Sequence, residues 1–118
     1  MTIRPKQNME KTDADITVGA KRTEIYLPWL KGKNVAVVAN QTSMINQTSL
    51  VDSLLALKIK VTKIFCPEHG FRGNADNGED VGNTTDKKTG LPIISLYGDN
   101  VRPKASDLKG IDVVVYDI

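Results

Sequence analysis

The stretch NVAVVA at residues 34–39 decides the fold class of this chain. It is almost wholly apolar and rich in β-branched valine, which is typical of a strand whose two faces are both covered. A second stretch of this kind, IDVVVYDI, occupies residues 111–118. Strands buried on both faces occur in parallel sheets that carry helices on either side. Both stretches therefore indicate an α/β protein.

The rest of the chain alternates between helix and strand patterns. In chain order these are a short broken helix over 21–30 that contains Pro28, a helix over 50–57, strands over 60–65 and 91–97, and one or two helical turns over 103–109. This order predicts an open parallel sheet with right-handed crossovers and flanking helices. Residues 1–17 are polar, and we predict a flexible tail there. Because no helix follows the last strand to cover it, we expect residues 18–118 to be the N-terminal part of a domain truncated after its fourth strand.

The composition narrows the function classes. The 118 residues are 40% hydrophobic and 25% charged, which is ordinary for one globular domain. The net charge of +2 comes without a long run of either sign, so nucleic-acid binding has no electrostatic support. Cys66 is the single cysteine, which excludes an internal disulfide. The first twenty residues contain no apolar run long enough for a signal peptide or a membrane span, and the compartment stays open.

Polar residues follow three of the predicted strands. Asn40 begins the segment NQTS after the first strand, Glu68 and His69 follow the strand over 60–65, and Asp117 lies at the end of the last strand. Ligands of open parallel sheets bind beyond the carboxyl ends of the strands. We therefore expect Asn40, Glu68 and Asp117 to face one cleft, although polar residues also occur at strand ends simply because loops begin there.

The segment 68–89 is rich in Gly, Asn, Asp, Glu and Thr and is longer than an ordinary connection, which is typical of a functional loop. Glu68, beside a buried strand end, would have its neutral form favoured, as a proton donor requires. His69 either orients Glu68, binds substrate, or ties the loop to backbone carbonyls. Arg72 offers a planar fork that suits a carboxylate ligand.

Cofactor chemistry has little support in the sequence. One histidine, one cysteine and scattered carboxylates do not form a zinc signature, so we predict neither a metal nor another cofactor. The glycines of the loop do not form the G-x-G-x-x-G turn of a nucleotide site. Cys66 is three residues from His69, but a cysteine at an apolar strand end is more often simply buried.

Several ordered motifs carry a resemblance to a known family. They are VANQTS at 38–43, CPEHGFRG at 66–73, NADNGEDV at 74–81, KTGLPIISLYG at 88–98 and DVVVYDI at 112–118. Together they resemble the NamZ-type exo-β-N-acetylmuramidases, and the similarity extends from about Val18 to Ile118. Relatives continue past this point into a Gln-Asp-Val-Gly segment, and they more often have a small residue where Asn77 stands.

The resemblance implies a bacterial glycoside hydrolase with a Rossmann-like N-terminal domain and a C-terminal auxiliary domain. Such enzymes remove N-acetylmuramic acid from the non-reducing ends of peptidoglycan fragments, and many are exported. The resemblance makes Glu68 the leading candidate for the catalytic acid and places His69 beside it. We expect Asn40, Arg72, Asp80 and Asp117 to contact the saccharide, with Asp80 or Asp117 as the second carboxylate.

Two alternatives stay open at this point. A non-catalytic module that binds muropeptides would use the same pocket without turnover. An esterase or amidase would need another nucleophile, and the sequence contains no G-x-S-x-G elbow.

Overall fold

The computed structural model describes residues 16–67, 71–72 and 84–118. In chain order the strands are β1 (Asn34–Ala39), β2 (Met44–Ile45), β3 (Thr48–Ser49), β4 (Lys60–Cys66), β5 (Thr84–Thr85), β6 (Pro92–Ser95) and β7 (Val113–Asp117). The α-helices are α1 (Thr23–Leu30), α2 (Leu50–Ala56) and α3 (Ala105–Leu108), and a 3-10 turn precedes α1 at Gly19–Lys21. All the longer strands and all three helices lie within one to three residues of their predicted positions.

Within the described part of the chain, the main sheet has five strands in the order β5-β6-β4-β1-β7. Strand β1 pairs in parallel with β4 on one side and with β7 on the other, and β4 pairs in parallel with β6. The predicted α/β fold is therefore confirmed, and the sheet that was predicted to be parallel is mostly so. The antiparallel pairing of β5 with β6 and the separate β2-β3 hairpin were not predicted, because two-residue strands are too short to show a periodicity.

The central position of β1 follows from its composition. Val35, Val37 and Ala39 are fully buried on one face of the sheet, and Ala36 is fully buried on the other. The first face carries the larger core, which α2 completes with the side chains Leu50, Val51 and Leu54. Removing this apolar area from water stabilises the folded state by ~25 cal/mol per Å². The core therefore holds β1 and α2 in one fixed arrangement.

Helix α1 differs from the predicted broken helix. Pro28 lies inside it, yet the helix runs on to Leu30, and the Lys31 N–H donates to the Leu27 carbonyl at 3.1 Å. A proline removes the hydrogen bond to the residue four positions earlier, which here is Glu24 in the first turn. The helix is short enough that the lost bond falls at its exposed beginning and does not break it.

Strand β7 lies at one edge of the described sheet. Val113 and Val115 pack on the core, whereas Val114 and Tyr116 point away from it and are exposed. The sequence predicted a strand that is buried in a complete domain but has no covering helix in this chain, and in residues 16–67, 71–72 and 84–118 one face is covered and the other is exposed. None of the helices in these ranges is long and apolar enough to cross a membrane.

Candidate functional site

The carboxyl ends of β1 and β7 lie side by side. Ala39 is paired with Asp117 in the parallel register, and Asn40 follows directly. The Ser43 hydroxyl donates a hydrogen bond to the Asp117 backbone carbonyl and so connects the two strand ends. The structure therefore brings Asn40 and Asp117 to the same edge of the sheet, as the topology predicted.

Asn40 is buried and organises the turn after β1. Its side-chain oxygen accepts hydrogen bonds from the Thr42 N–H at 2.8 Å and the Thr42 hydroxyl at 2.6 Å, and its backbone N–H donates to the Ser43 hydroxyl at 3.1 Å. This is the Asx-turn arrangement, in which an asparagine oxygen replaces a backbone acceptor. Because the oxygen is used in the turn, the side-chain NH₂ is the group that Asn40 can offer to a ligand.

A cleft of about 290 Å³ opens beside this turn. Its walls come from the β1 turn, the β2-β3 hairpin, the beginning of α2, residues 71–72 and the turn before β6. The described residues that line it are Asn40, Gln41, Met44, Gln47, Thr48, Ser49, Asp52, Phe71, Arg72 and Lys88. Most of these are polar, which suits a hydroxylated ligand more than an apolar one. Asp117 is not among the described lining residues.

Arg72 occupies the centre of a charged network at one wall of the cleft. Its Nε and Nη2 donate to the two carboxylate oxygens of Asp86 at 2.7 and 2.8 Å, and its Nη1 and Nη2 each donate to Asp52 at 3.0 Å. Lys88 Nζ adds a third cationic contact to Asp52 at 3.0 Å. Arg72 also lies 4.9 Å from the ring centroid of Phe71. Bidentate pairs of this kind are the stronger charge-assisted hydrogen bonds.

The network shifts the pKa values of its members. The hydrogen bonds from Arg72 lower the pKa of Asp86 from 3.8 to about 2, against the opposing effect of burial. The hydrogen bond from Arg72 also lowers the pKa of Asp52. Hydrogen bonds to both carboxylates raise the pKa of Arg72 above its usual value. All three groups are therefore held in their charged forms.

Asp117 has the opposite electrostatic environment. Burial raises the pKa of its carboxyl group. Burial, together with the charge of Asp117 and then of Glu24, raises the pKa of Tyr26 on α1, whose hydroxyl donates to the Ala20 carbonyl. A carboxyl group whose neutral form is favoured suits acid-base chemistry better than a fully ion-paired one.

The comparisons with known proteins identify the family. The family model described as Exo-beta-N-acetylmuramidase NamZ, N-terminal, matches residues 35–118. The chain belongs to this NamZ family. The match runs from the second residue of β1 through β7, and it includes all the described residues that line the cleft.

Relatives of known sequence or structure agree with this assignment. The chain is 41% identical over 97 residues to the peptidoglycan beta-N-acetylmuramidase NamZ of Bacillus subtilis strain 168, which covers 79% of the chain and 23% of that relative. Two crystal structures of DUF1343 family proteins from Bacteroides fragilis NCTC 9343 match with a TM-score of 0.69 each, at 40% and 37% identity. They cover 84% and 81% of the chain, and the chain covers 24% of each. The chain thus spans about a quarter of the length of these relatives.

The predicted site residues of this NamZ family member divide into two groups. Asn40 and Arg72 line the cleft, and Asp117 lies at the adjoining strand end. Glu68, His69 and Asp80 lie outside the described residues, so their places in the site stay predictions. Glu68 is separated by Pro67 alone from Cys66, the last residue of β4.

Two charged residues at the cleft were not singled out from the sequence. Asp52 lies in the first turn of α2, and Lys88 lies in the turn before β6. They are 20 and 16 residues away from Arg72 in the sequence, so no helix or strand period indicates that they contact it. The residues 16–67, 71–72 and 84–118 contain no group of three metal-ligating side chains.

The free energy of unfolding should depend on the ionisation of Asp86 at low pH. A carboxyl whose folded pKa lies near 2, below its ordinary 3.8, stabilises the fold above pH 3.8 and loses that contribution as the pH falls through about 2. The shift corresponds to about 2 kcal/mol. We expect Asp86→Asn to flatten the dependence of the unfolding free energy on pH between about pH 4 and pH 2. Urea denaturation at stepwise pH measures this.

The exposed Asp99 offers a matched control for that measurement. Asp99→Asn should leave the wild-type pH dependence in place. If the unfolding free energy of Asp86→Asn falls with decreasing pH as it does in Asp99→Asn, the role assigned to the network is contradicted.

Proposed function

We propose that this chain carries the saccharide site of a glycoside hydrolase that releases terminal β-linked N-acetylmuramic acid from the non-reducing ends of peptidoglycan fragments. The observation that carries the proposal is membership of the NamZ family over residues 35–118, the part of the chain that forms the cleft. The name of the Bacillus subtilis relative supports the same substrate class. The polar lining at the carboxyl ends of parallel strands supports a sugar ligand.

In this proposal Glu68 is the general acid that protonates the leaving glycosidic oxygen, and His69 orients it. Asn40 contributes its side-chain NH₂ to the saccharide. A second carboxylate is needed either to attack the sugar or to activate water, and Asp80 and Asp117 are the candidates. The raised pKa of Asp117 supports a place in proton transfer more than a place in an ion pair. Arg72 borders the same cleft.

A binding module without turnover is a second candidate, and one observation favours it. Asp52 is the carboxylate among the described lining residues of the cleft, and both of its oxygens are engaged by Arg72 and Lys88. A carboxylate held in this way cannot act as a general acid near neutral pH. The described part of the cleft is therefore suited to hold a saccharide, and the chemistry depends on residues beyond it.

Product analysis with two disaccharides separates these functions. The protein at its native length is incubated with N-acetylmuramyl-β-1,4-N-acetylglucosamine and with the reversed disaccharide, and released monosaccharides are measured by chromatography. We expect release from the first disaccharide, with its non-reducing muramic acid, and at most trace release from the second. Calorimetric binding of the first disaccharide without release of either sugar would favour the binding module.

A further inference from the structure

Two cations line the cleft, and their hydrogen bonds differ. Arg72 has five N–H donors. Four of them are used on Asp52 and Asp86, so in the described residues one N–H of Nη1 remains. Its charge is offset by two carboxylates whose side chains are only 12% and 4% exposed. Arg72 is therefore fixed in the wall of the cleft, and few of its hydrogen-bond donors are available to a ligand.

Lys88 has the same charge but is far less constrained. Its side chain is 65% exposed, and its hydrogen bond in the described residues goes to the Asp52 oxygen Oδ2, which Arg72 also binds. An ammonium group has three donors, so two remain. The lysine end of this pair is exposed to water, which weakens its attraction to Asp52, so the head of Lys88 can move to a better acceptor at small cost.

The backbone around Lys88 is held by several hydrogen bonds, whereas its exposed ammonium group has one in the described residues. The Asp86 carboxylate accepts hydrogen bonds from the Thr89 N–H at 3.2 Å and the Thr89 hydroxyl at 2.5 Å. The Gly90 N–H donates to the Asp86 carbonyl at 2.7 Å, and the Asp86 N–H donates to the Leu91 carbonyl at 2.8 Å. The turn therefore holds the Cα of Lys88 at the rim of the cleft.

The described lining residues of the cleft carry one more positive charge than negative charge. Among its described lining residues, Arg72 and Lys88 are cationic and Asp52 is anionic. Asp86 is buried and does not line the cleft. Because Arg72 also donates two hydrogen bonds to Asp52, Lys88 can leave Asp52 for a ligand carboxylate without leaving Asp52 unpaired. Asn40 lines the same cleft with a neutral NH₂ group.

We propose that Lys88 determines specificity by binding the carboxylate of an acidic amino sugar held in this cleft. The inference rests on the proposed function and names the group that selects its substrate. N-acetylmuramic acid carries a lactyl carboxylate that N-acetylglucosamine lacks. Lys88 therefore provides the distinction between the two sugars, and the role expected for Arg72 from the sequence passes to Lys88.

The test compares Lys88→Met with Lys87→Met in the protein at its native length. Lys87 is the exposed neighbour in the same turn and does not line the cleft, so it controls for loss of one charge. The probes are free N-acetylmuramic acid and its methyl ester, which differ in the carboxylate charge, with dissociation constants measured by calorimetry. We expect Lys88→Met to weaken binding of the acid about tenfold or more, with the ester unchanged. Lys88→Arg should retain most of the preference for the acid.

Kinetics separate failure of this inference from failure of the proposed function. With a chromogenic β-glycoside of N-acetylmuramic acid, Lys88→Met should raise KM about tenfold and leave kcat within about twofold. Equal binding of the acid by the Lys88→Met and Lys87→Met variants would overturn the inference even in an active enzyme. If Lys88→Met alone weakens binding of the acid and the wild-type protein shows no turnover, the role of Lys88 in binding the carboxylate is supported and the proposed hydrolase activity is overturned. A wild-type protein that binds acid and ester equally would also overturn the inference.

Discussion

Replacing Arg72 by methionine is expected to lower the free energy of unfolding by about 3 kcal/mol, because it leaves two carboxylates facing each other without their shared cation. The side chains of Asp52 and Asp86 are 12% and 4% exposed, so water screens them poorly. Removing one partner of a buried pair typically costs ~3–5 kcal/mol. The lower end applies here because Arg72 is 25% exposed and Lys88 still contacts Asp52. Urea denaturation near neutral pH measures the loss.

Two further variants make that expectation specific. Arg102 is exposed, and Arg102→Met should change the unfolding free energy by no more than about 0.5 kcal/mol. Adding Asp86→Asn to Arg72→Met removes one of the unpaired charges, so the double variant should be more stable than Arg72→Met alone. A double variant whose loss equals or exceeds the sum of the two single losses would show that lost packing, and not uncompensated charge, dominates.

The sequence predicted well those elements whose apolar pattern extends over several consecutive residues. The boundaries of β1 agree with the stretch NVAVVA at 34–39, because a strand covered on both faces is apolar at nearly every position. The β2-β3 hairpin has two residues in each strand, and no period can be read from two residues. Asn46, with φ of 55°, lies in its turn and was the available signal, since asparagine tolerates the left-handed region.

The candidate site was predictable only where topology alone brings residues together. Asn40 and Asp117 both end parallel strands, so the fold class sufficed to predict that they lie at one edge. Asp52 comes from a helix and Lys88 from a turn, and their meeting with Arg72 depends on how those elements pack. The sequence assigned Arg72 to the ligand because a guanidinium suits a carboxylate. The structure shows that two protein carboxylates already use most of its donors.

Replacing Glu68 by glutamine is expected to lower kcat for release of N-acetylmuramic acid by ~10²–10⁴-fold, the usual contribution of general acid-base catalysis. The amide has nearly the shape of the carboxyl group but has no acidic proton to give to the glycosidic oxygen. Binding of the saccharide should be largely preserved. Glu24→Gln, at an exposed position in the first turn of α1, is the matched control and should retain wild-type turnover.

Turnover and binding by Glu68→Gln in the protein at its native length decide whether Glu68 is the general acid of this site. The substrate is a disaccharide with N-acetylmuramic acid at its non-reducing end, with release followed by chromatography and the dissociation constant by calorimetry. If Glu68 is the general acid, kcat falls at least about 100-fold and the dissociation constant stays within about threefold of wild type. Turnover close to that of the wild type and of Glu24→Gln would contradict it and remove Glu68 from the catalytic role.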